Sequence, residues 1–391
     1  MTTLPLPLGF RASGVAAGIK KNGAPDLTVI ASDTDCAAAA VFTTNKVKAA
    51  PVLRGMQQMG AGRPIRVVVI NAGCANACTG RQGMLNASET AGIAAKALHT
   101  KANNVFVMST GVIGVQLPME KLQAGLPQAI AALSIDGFTA ASNAIMTTDT
   151  VPKTAMVEVG HGDKTVRFAG MAKGAGMIHP NMGTMLSVVM TDAIVDARVL
   201  RMALKQATKR SFNRISIDGD TSTNDTLLVL ANGASGVKLS AKELSTALSD
   251  ISIDLAKQVA RDGEGATKFI TIEVTGAKTE RMAETIGRTI AKSPLVKTAF
   301  YGEDANWGRI VCAAGYSGED VIPEKLSLWF SGVHVFAKGT PTKYSEQAAT
   351  EAMKPHDVTI RLDLGLGSAA ATVWTCDFSH EYVTVNGKYR T

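Results

Sequence analysis

Along this chain, short apolar runs alternate with longer stretches in which apolar residues recur every three or four positions. Glycine, proline, asparagine or aspartate separates them. The runs at 27–31, 37–42, 65–70, 105–108, 155–159, 165–168, 185–190, 227–231 and 269–274 predict strands, several of them apolar throughout, as buried strands are. Helical spacing predicts helices over 87–99, 119–133, 197–210, 241–261, 281–292 and 345–353, with Pro118 suited to a first turn and Asp196 to an N-cap. Gly160, His161, Gly162 and Asp163 lie between two of the strand-like runs and predict a hairpin. Past residue 275 the pattern shifts: 300–309 reads as a loop, 310–314 as a strand, and further strands fall near Leu326, Val358 and Ala369. The run 382–385 is aromatic or β-branched throughout and reads as a last strand. The alternation places the chain in the α/β (α+β) class, with a main part over about 1–278 and a smaller α/β unit over 279–391.

Candidate chemistry collects where strands meet loops. Residues 173–186, KGAGMIHPNMGTML, begin as a glycine- and proline-containing loop and end in a strand, so Thr184 stands at the junction. A hydroxyl there is held by a rigid element and approached by loop backbone, as acyl-transfer nucleophiles are; a threonine entering a strand also fits simply because it is β-branched. Thr110 and Gly111 follow the strand 105–108, and a glycine at a strand end either leaves N–H groups pointing into a cleft or makes a turn. Three aspartates within 218–225 invite a cation, but no glutamate closes the loop as a calcium-binding loop requires, which favours a hydrogen-bonded structural loop. Glu264 sits between Gly263 and Gly265 in a turn, where an exposed loop charge is the ordinary expectation.

Composition narrows the choice of partner. With 391 residues, 46% hydrophobic and 19% charged, the chain is built to bury a large core. The net charge of +7 comes from scattered lysines and arginines without a basic run, so no nucleic acid is expected, and an anionic substrate fits as well. Five cysteines without a CxxC pair predict reduced thiols, and no metal is expected. Residues 1–8 lack a basic leader and no run of eighteen apolar residues occurs, so a cytoplasmic protein without a membrane span is the expectation. The GxSxG elbow, the phosphate-binding P-loop and the HExxH zinc motif are absent, and the glycines at 174, 176, 365 and 367 do not make a dinucleotide fingerprint.

Residues 173–186 resemble the self-cleavage signature of the ornithine acetyltransferases, the glutamate N-acetyltransferase family of arginine biosynthesis. Residues 109–114 (STGVIG), 146–150 (MTTDT), 218–225 (DGDTSTND), 263–268 (GEGATK) and 386–391 (NGKYRT) resemble further motifs of that family in the same order, so the likeness spans nearly the whole chain. The family usually has alanine before the nucleophile, and Gly183 stands there in this chain.

The resemblance implies a layered αββα sandwich of the ornithine acetyltransferase type and cleavage between Gly183 and Thr184. That cut gives an N-terminal chain 1–183 and a C-terminal chain 184–391 that begins at the nucleophile. It makes Thr110 and Gly111 an oxyanion hole, and Thr150, Lys173, Thr184, Glu264, Asn386 and Thr391 substrate ligands. The substrates it implies are N-acetylornithine and glutamate in a ping-pong reaction, with no cofactor and with acetyl-CoA as a further candidate donor. Two copies of each cleaved chain would assemble. The competing reading is an autoproteolytic amidase or aminopeptidase of similar fold, in which water takes the acyl group.

Overall fold

In the computed structural model, which describes residues 4–179 and 185–388, a strand comes first, β1 (Phe10–Val15), and a long one follows, β2 (Leu27–Phe42). Then come α1 (Ala50–Gly60), β3 (Ile65–Cys74), α2 (Gly80–Ala97), β4 (Val105–Val112), α3 (Met119–Ala131), α4 (Phe138–Ala144), β5 (Lys153–His161) and β6 (Lys164–Lys173). After these run β7 (Leu186–Thr191), α5 (Ala197–Arg210), β8 (Ile215–Ser216), β9 (Thr226–Ala231), α6 (Ala241–Arg261), β10 (Phe269–Ala277), α7 (Glu280–Ala291), α8 (Pro294–Tyr301) and α9 (Trp307–Gly315). The last are β11 (Ser327–Phe330), β12 (Val333–Ala337), β13 (Thr340–Pro341), α10 (Glu346–Met353), β14 (Asp357–Asp363), β15 (Ala369–Cys376) and α11 (His380–Gly387). The described residues form two units: 4–174, 185–213 and 221–259 in one, and 175–179, 214–220 and 260–388 in the other.

The first unit is organised by β2. Its residues Leu27–Ala31 pair antiparallel with β3, the register shifts between Ala31 and Cys36, and Ala37–Phe42 then pair antiparallel with β9. The two predicted runs 27–31 and 37–42 are therefore one strand, and the polar break at Asp33, Thr34 and Asp35 is the exposed crest of a bulge, not a turn. Around it the eight-stranded sheet runs β4-β3-β2-β9-β7-β6-β5, with β1 added on β2. The pleat sorts the side chains. Val68, Ile70, Phe106 and Met108 share one core with Met171, Val188, Met190, Leu228 and Leu230 from the other half of the sheet. Val67, Val69, Val105 and Val107 point the opposite way, into a second core completed by Ala91 and Ala94 of α2 and by Leu122 and Leu126 of α3. Behind β6, a Cβ on Gly170 would stand 2.9 Å from Leu255 and 3.1 Å from Ile251, so α6 covers that face. Helix, strands, strands and helix thus stack as an αββα sandwich. β5 and β6 are the predicted hairpin, and Asp196 caps α5 by accepting from the Arg198 and Val199 amides.

The second unit holds a seven-stranded sheet, β13-β12-β11-β14-β10-β15-β8, over a core that includes Ile272, Ile286, Phe300, Ile310, Leu328, Ile360 and Val373. A boundary near 278 would cut this sheet, because β10 lies at its centre, parallel to β14 and antiparallel to β15. Two expectations fail here. The run 310–314 lies in α9, where Asn306 caps the helix by accepting from the Arg309 amide, and short apolar runs carry no period that separates helix from strand. The β-branched run 382–385 lies in α11, capped by Ser379, whose hydroxyl accepts from the Glu381 amide; none of its residues is fully buried, so no sheet surface rewards their β propensity. Cys36, Cys74 and Cys376 are buried, Cys78 and Cys312 are exposed, and all five are unpaired thiols.

Candidate active site

In the first unit, β3 and β4 run parallel and end side by side in small residues, with Gly73 opposite Gly111. Gly73 has φ 102° and Gly111 φ 131°, and a Cβ on Gly111 would lie 2.3 Å from the Gly73 carbonyl carbon, so only glycine fits. Side-chain amides tie the two strand ends together. Ser109 Oγ donates to Asn71 Oδ1 at 2.6 Å, Asn71 Nδ2 donates to the Cys74 carbonyl at 2.8 Å, and Asn224 Nδ2 donates to the Ser109 and Ala75 carbonyls at 2.7 and 2.6 Å. Thr110 is therefore held in a fixed place with little exposure. Lys173, the last residue of β6, is also buried and donates from Nζ to Thr110 Oγ1 at 3.2 Å.

Two aspartates face the Lys173 charge and respond in opposite senses. Asp149 and Lys153 form an ion pair at 2.5 Å with both side chains at 0% exposure. Asp149 also accepts from the Gly174 amide at 2.6 Å and the Thr147 amide at 2.8 Å, which fixes the loop that carries Thr150, itself exposed. Burial alone would raise the Asp149 pKa, but Lys173, Lys153 and these hydrogen bonds hold it well below the ordinary carboxylate range. Asp225 is raised well above that range because burial outweighs Lys173, and its Oδ2 has no hydrogen-bond partner among the described residues. The next residue, Thr226, donates its amide to the Met185 carbonyl at 2.9 Å, and β7 and β9 run parallel from that point.

The second unit carries Glu264 and Asn386. Glu264 is 7% exposed; its amide donates to the Ala175 carbonyl at 2.8 Å, and its Oε2 accepts from Asn386 Nδ2, also at 2.8 Å. The expectation of an exposed loop charge is thus corrected: Gly263, against Cys376, and Gly265, against Tyr382, let the turn pack closely enough to bury it. Residues 175–179 form a strap in this unit. Asp218 accepts from the Met177 amide at 2.6 Å and the Ile178 amide at 2.9 Å, and the Ile217 amide donates to the Ile178 carbonyl at 2.7 Å. The 218–225 loop thus spends its first carboxylate on backbone. Arg288 Nη2 meets His179 Nε2 at 2.9 Å and Ser216 Oγ meets Nδ1 at 3.0 Å. Burial, with Arg288 and Lys292 adding to it, lowers the His179 pKa to about 3, so the ring is neutral and carries its proton on Nδ1, toward Ser216. Tyr382 is pushed up by burial and by the nearby Asp218 and Glu264.

Of the residues singled out from sequence, the structure joins Thr110, Gly111 and Lys173 in the first unit and Glu264 with Asn386 in the second. Gly183, Thr184 and Thr391 lie outside the described residues. Sequence reading missed Asn71, Lys153, Asn224 and the fixing role of Asp149. Asp149 lies within the 146–150 motif and Lys153 just past it, and nothing local marks either as buried. Among the described residues, no group of three or more histidine, cysteine, aspartate or glutamate side chains could hold a metal ion, and no helix is long and apolar enough to cross a membrane.

The model of the ArgJ family matches residues 11–391. The arginine biosynthesis bifunctional protein ArgJ of Symbiobacterium thermophilum is 50% identical over 98% of this chain and 98% of its own. The protein of the same name from Geobacter sulfurreducens is 47% identical over 98% of this chain and 99% of its own. The crystal structure of the arginine biosynthesis bifunctional protein argJ from Bacillus halodurans is 42% identical and superposes with a TM-score of 0.50, covering 51% of this chain and 97% of that one.

Proposed function

This chain belongs to the ArgJ family, and on that premise we propose that it moves the acetyl group of N2-acetylornithine to glutamate through an acetyl-Thr184 intermediate. The observation that carries this reading is the rigid Thr110–Gly111 strand end with Lys173 on the Thr110 hydroxyl. A tetrahedral oxyanion needs donors that do not reorganise, and the Asn71 and Asn224 amides hold this strand end in place. Each such donor is worth roughly 2.7 to 4 kcal/mol in acyl-transfer enzymes.

Cleavage before Thr184 makes the base that the hydroxyl lacks. The freed α-amine has an ordinary pKa of about 8 and lies within reach of Oγ, so it takes the proton as Oγ attacks the acetyl carbonyl. The α-amine gives that proton to the departing nitrogen as the acetyl C–N bond breaks and ornithine leaves; glutamate then enters, its amine attacks the acetyl-enzyme, and its proton passes through the α-amine back to Thr184 Oγ. Thr150, Lys173, Asn386 and Thr391 bind substrate, and Glu264 takes the free amine of N-acetylornithine. The reaction needs no metal or prosthetic group. Acetyl-CoA serves as a second donor, the two cleaved chains assemble in duplicate, and the enzyme works in the cytoplasm. A solved relative that is matched over 97% of its own chain but spans only 51% of this one supports a mature protein of two roughly equal pieces.

Thr184→Ala tests this reading. On a denaturing gel the variant runs as one band near 40.8 kDa, whereas the parent gives two, and it transfers no acetyl group from N-acetylornithine or acetyl-CoA to glutamate. Cleavage of the variant would assign the cut to another residue. Release of acetate without acetylglutamate by the parent would favour the amidase reading.

A further inference from the structure

Gly176 lies against the carboxylate of Glu264. A Cβ built on it would stand 2.3 Å from Oε2, 2.5 Å from Cδ and 2.7 Å from Oε1. Its backbone is not at positive φ, so conformational freedom does not explain the glycine. Space does. The strap on either side is fixed: Ala175 accepts the Glu264 amide, and Asp218 holds Met177 and Ile178. Met177 sits at φ 55°, a left-handed conformation that is unfavourable for a side chain of its size and persists only where neighbours impose it.

We propose that Gly176 is a positioning residue that sets the Glu264 carboxylate in place, and through it the preference for an acetyl donor with a free side-chain amine. The idea rests on the acetyltransfer reading above. N-acetylornithine has one free amine, at the end of its side chain, because the other carries the acetyl group. A carboxylate that pairs with that ammonium does so from a fixed place, and Glu264 has its place set within its own unit. On one side the Asn386 amide stops the Glu264 side chain, and on the other Gly176 leaves it room. An alanine at 176 fills that room and displaces the flexible end of Glu264, since the strap backbone is tied down and cannot yield.

The test compares N-acetylornithine with N-acetylnorvaline, which has the same carbon skeleton without the amine, in parent, Gly176→Ala, Glu264→Gln and the double variant. In Gly176→Ala, KM for N-acetylornithine rises roughly ten- to a hundredfold, as expected for loss of a charge-assisted bond, with kcat little changed. Turnover of N-acetylnorvaline stays near the parent's. Glu264→Gln shows the same pattern, and the double variant is no worse than Glu264→Gln alone, because both changes remove one interaction. A parental preference in Gly176→Ala, or effects that add in the double variant, overturns the proposal. A parent that forms no acetyl-Thr184 with any donor would instead sink the acetyltransfer reading. Should Gly176→Ala fail to fold, Asp218→Asn loosens the same strap without adding bulk; it narrows the donor preference in the same direction, and an unchanged preference there is equally fatal.

Discussion

The cluster around Lys173 and the cluster around Glu264 both bury carboxyl groups, and they satisfy them by opposite means. In the first unit charge meets charge: Asp149 and Lys153 pair at 0% exposure, with Lys173 close enough to help hold Asp149 ionised. In the second unit Glu264, at 7% exposure, meets a neutral amide from Asn386 and the empty side of a glycine. A buried charge already matched by a counter-charge contributes scaffolding, since its field is largely spent inside the protein. A buried carboxylate met by neutral partners keeps its field for a cation that arrives later. The two clusters therefore have different work: one holds the loops at residues 147–150 and 173–174 in shape, the other is suited to recognise an ammonium.

If this division is right, breaking the scaffolding pair gives the largest loss of stability. Lys153→Met leaves Asp149 buried without its nearest cation and should cost about 3 to 5 kcal/mol, read from chemical denaturation. A cost under about 1 kcal/mol would show that Lys173 and the backbone amides carry Asp149 by themselves. On the recognition side, Glu264→Gln keeps the shape and removes the charge. It should leave stability and self-cleavage intact and lower kcat/KM for N-acetylornithine by about 1.5 to 3 kcal/mol. Unchanged kinetics would remove Glu264 from the site and erase the contrast.

The smallest effect sharpens the comparison within the first unit. Asp225 has its pKa raised by burial, so the stability linked to its protonated form is complete below about 4, where an unfolded aspartate ionises, and falls as pH rises through the higher native value. Asp149 is depressed, so its contribution is present above about 4 and is lost as pH falls toward the native value. Asp225→Asn removes the first dependence and gives up no partner at Oδ2 among the described residues. Its unfolding free energy at pH 8, read from chemical denaturation, should match or exceed the parent's by up to about 1 kcal/mol, with the gap closing toward pH 4. A variant less stable than the parent at pH 8 and equal at pH 4 would mean that Asp225 works ionised.

Much of the fold was open to reading in the order of residues. The 155–168 hairpin, the Asp196 cap of α5 and the strands 65–70 and 105–108 all appeared where pattern and turn chemistry put them. Elements whose identity depends on what lies across from them did not. The crest of β2 looked like a turn, 310–314 like a strand, and 382–385 like a strand until α11 was found capped by Ser379. At the site, Thr110 and Gly111 could be found because a glycine after an apolar run is a local signal. The burial of Asp149 and Lys153, and the amides of Asn71 and Asn224 that brace the strand ends, had no such signal.

By itself the sequence determined what nearest neighbours along the chain decide: which stretches alternate or repeat at helical spacing, where chains turn, and which short motifs carry hydroxyl, carboxylate and glycine in an order shared with one family. Tertiary structure alone decided which buried polar groups find partners, because Asp149 finds Gly174, and Asn224 finds Ser109 and Ala75, across separations that no local pattern encodes. It also decided why Gly176 is glycine: the reason is the Glu264 carboxylate, eighty-eight positions further along the chain. Local rules act through backbone geometry over a few residues, whereas charge compensation and steric room depend on distances in space that only the folded chain sets.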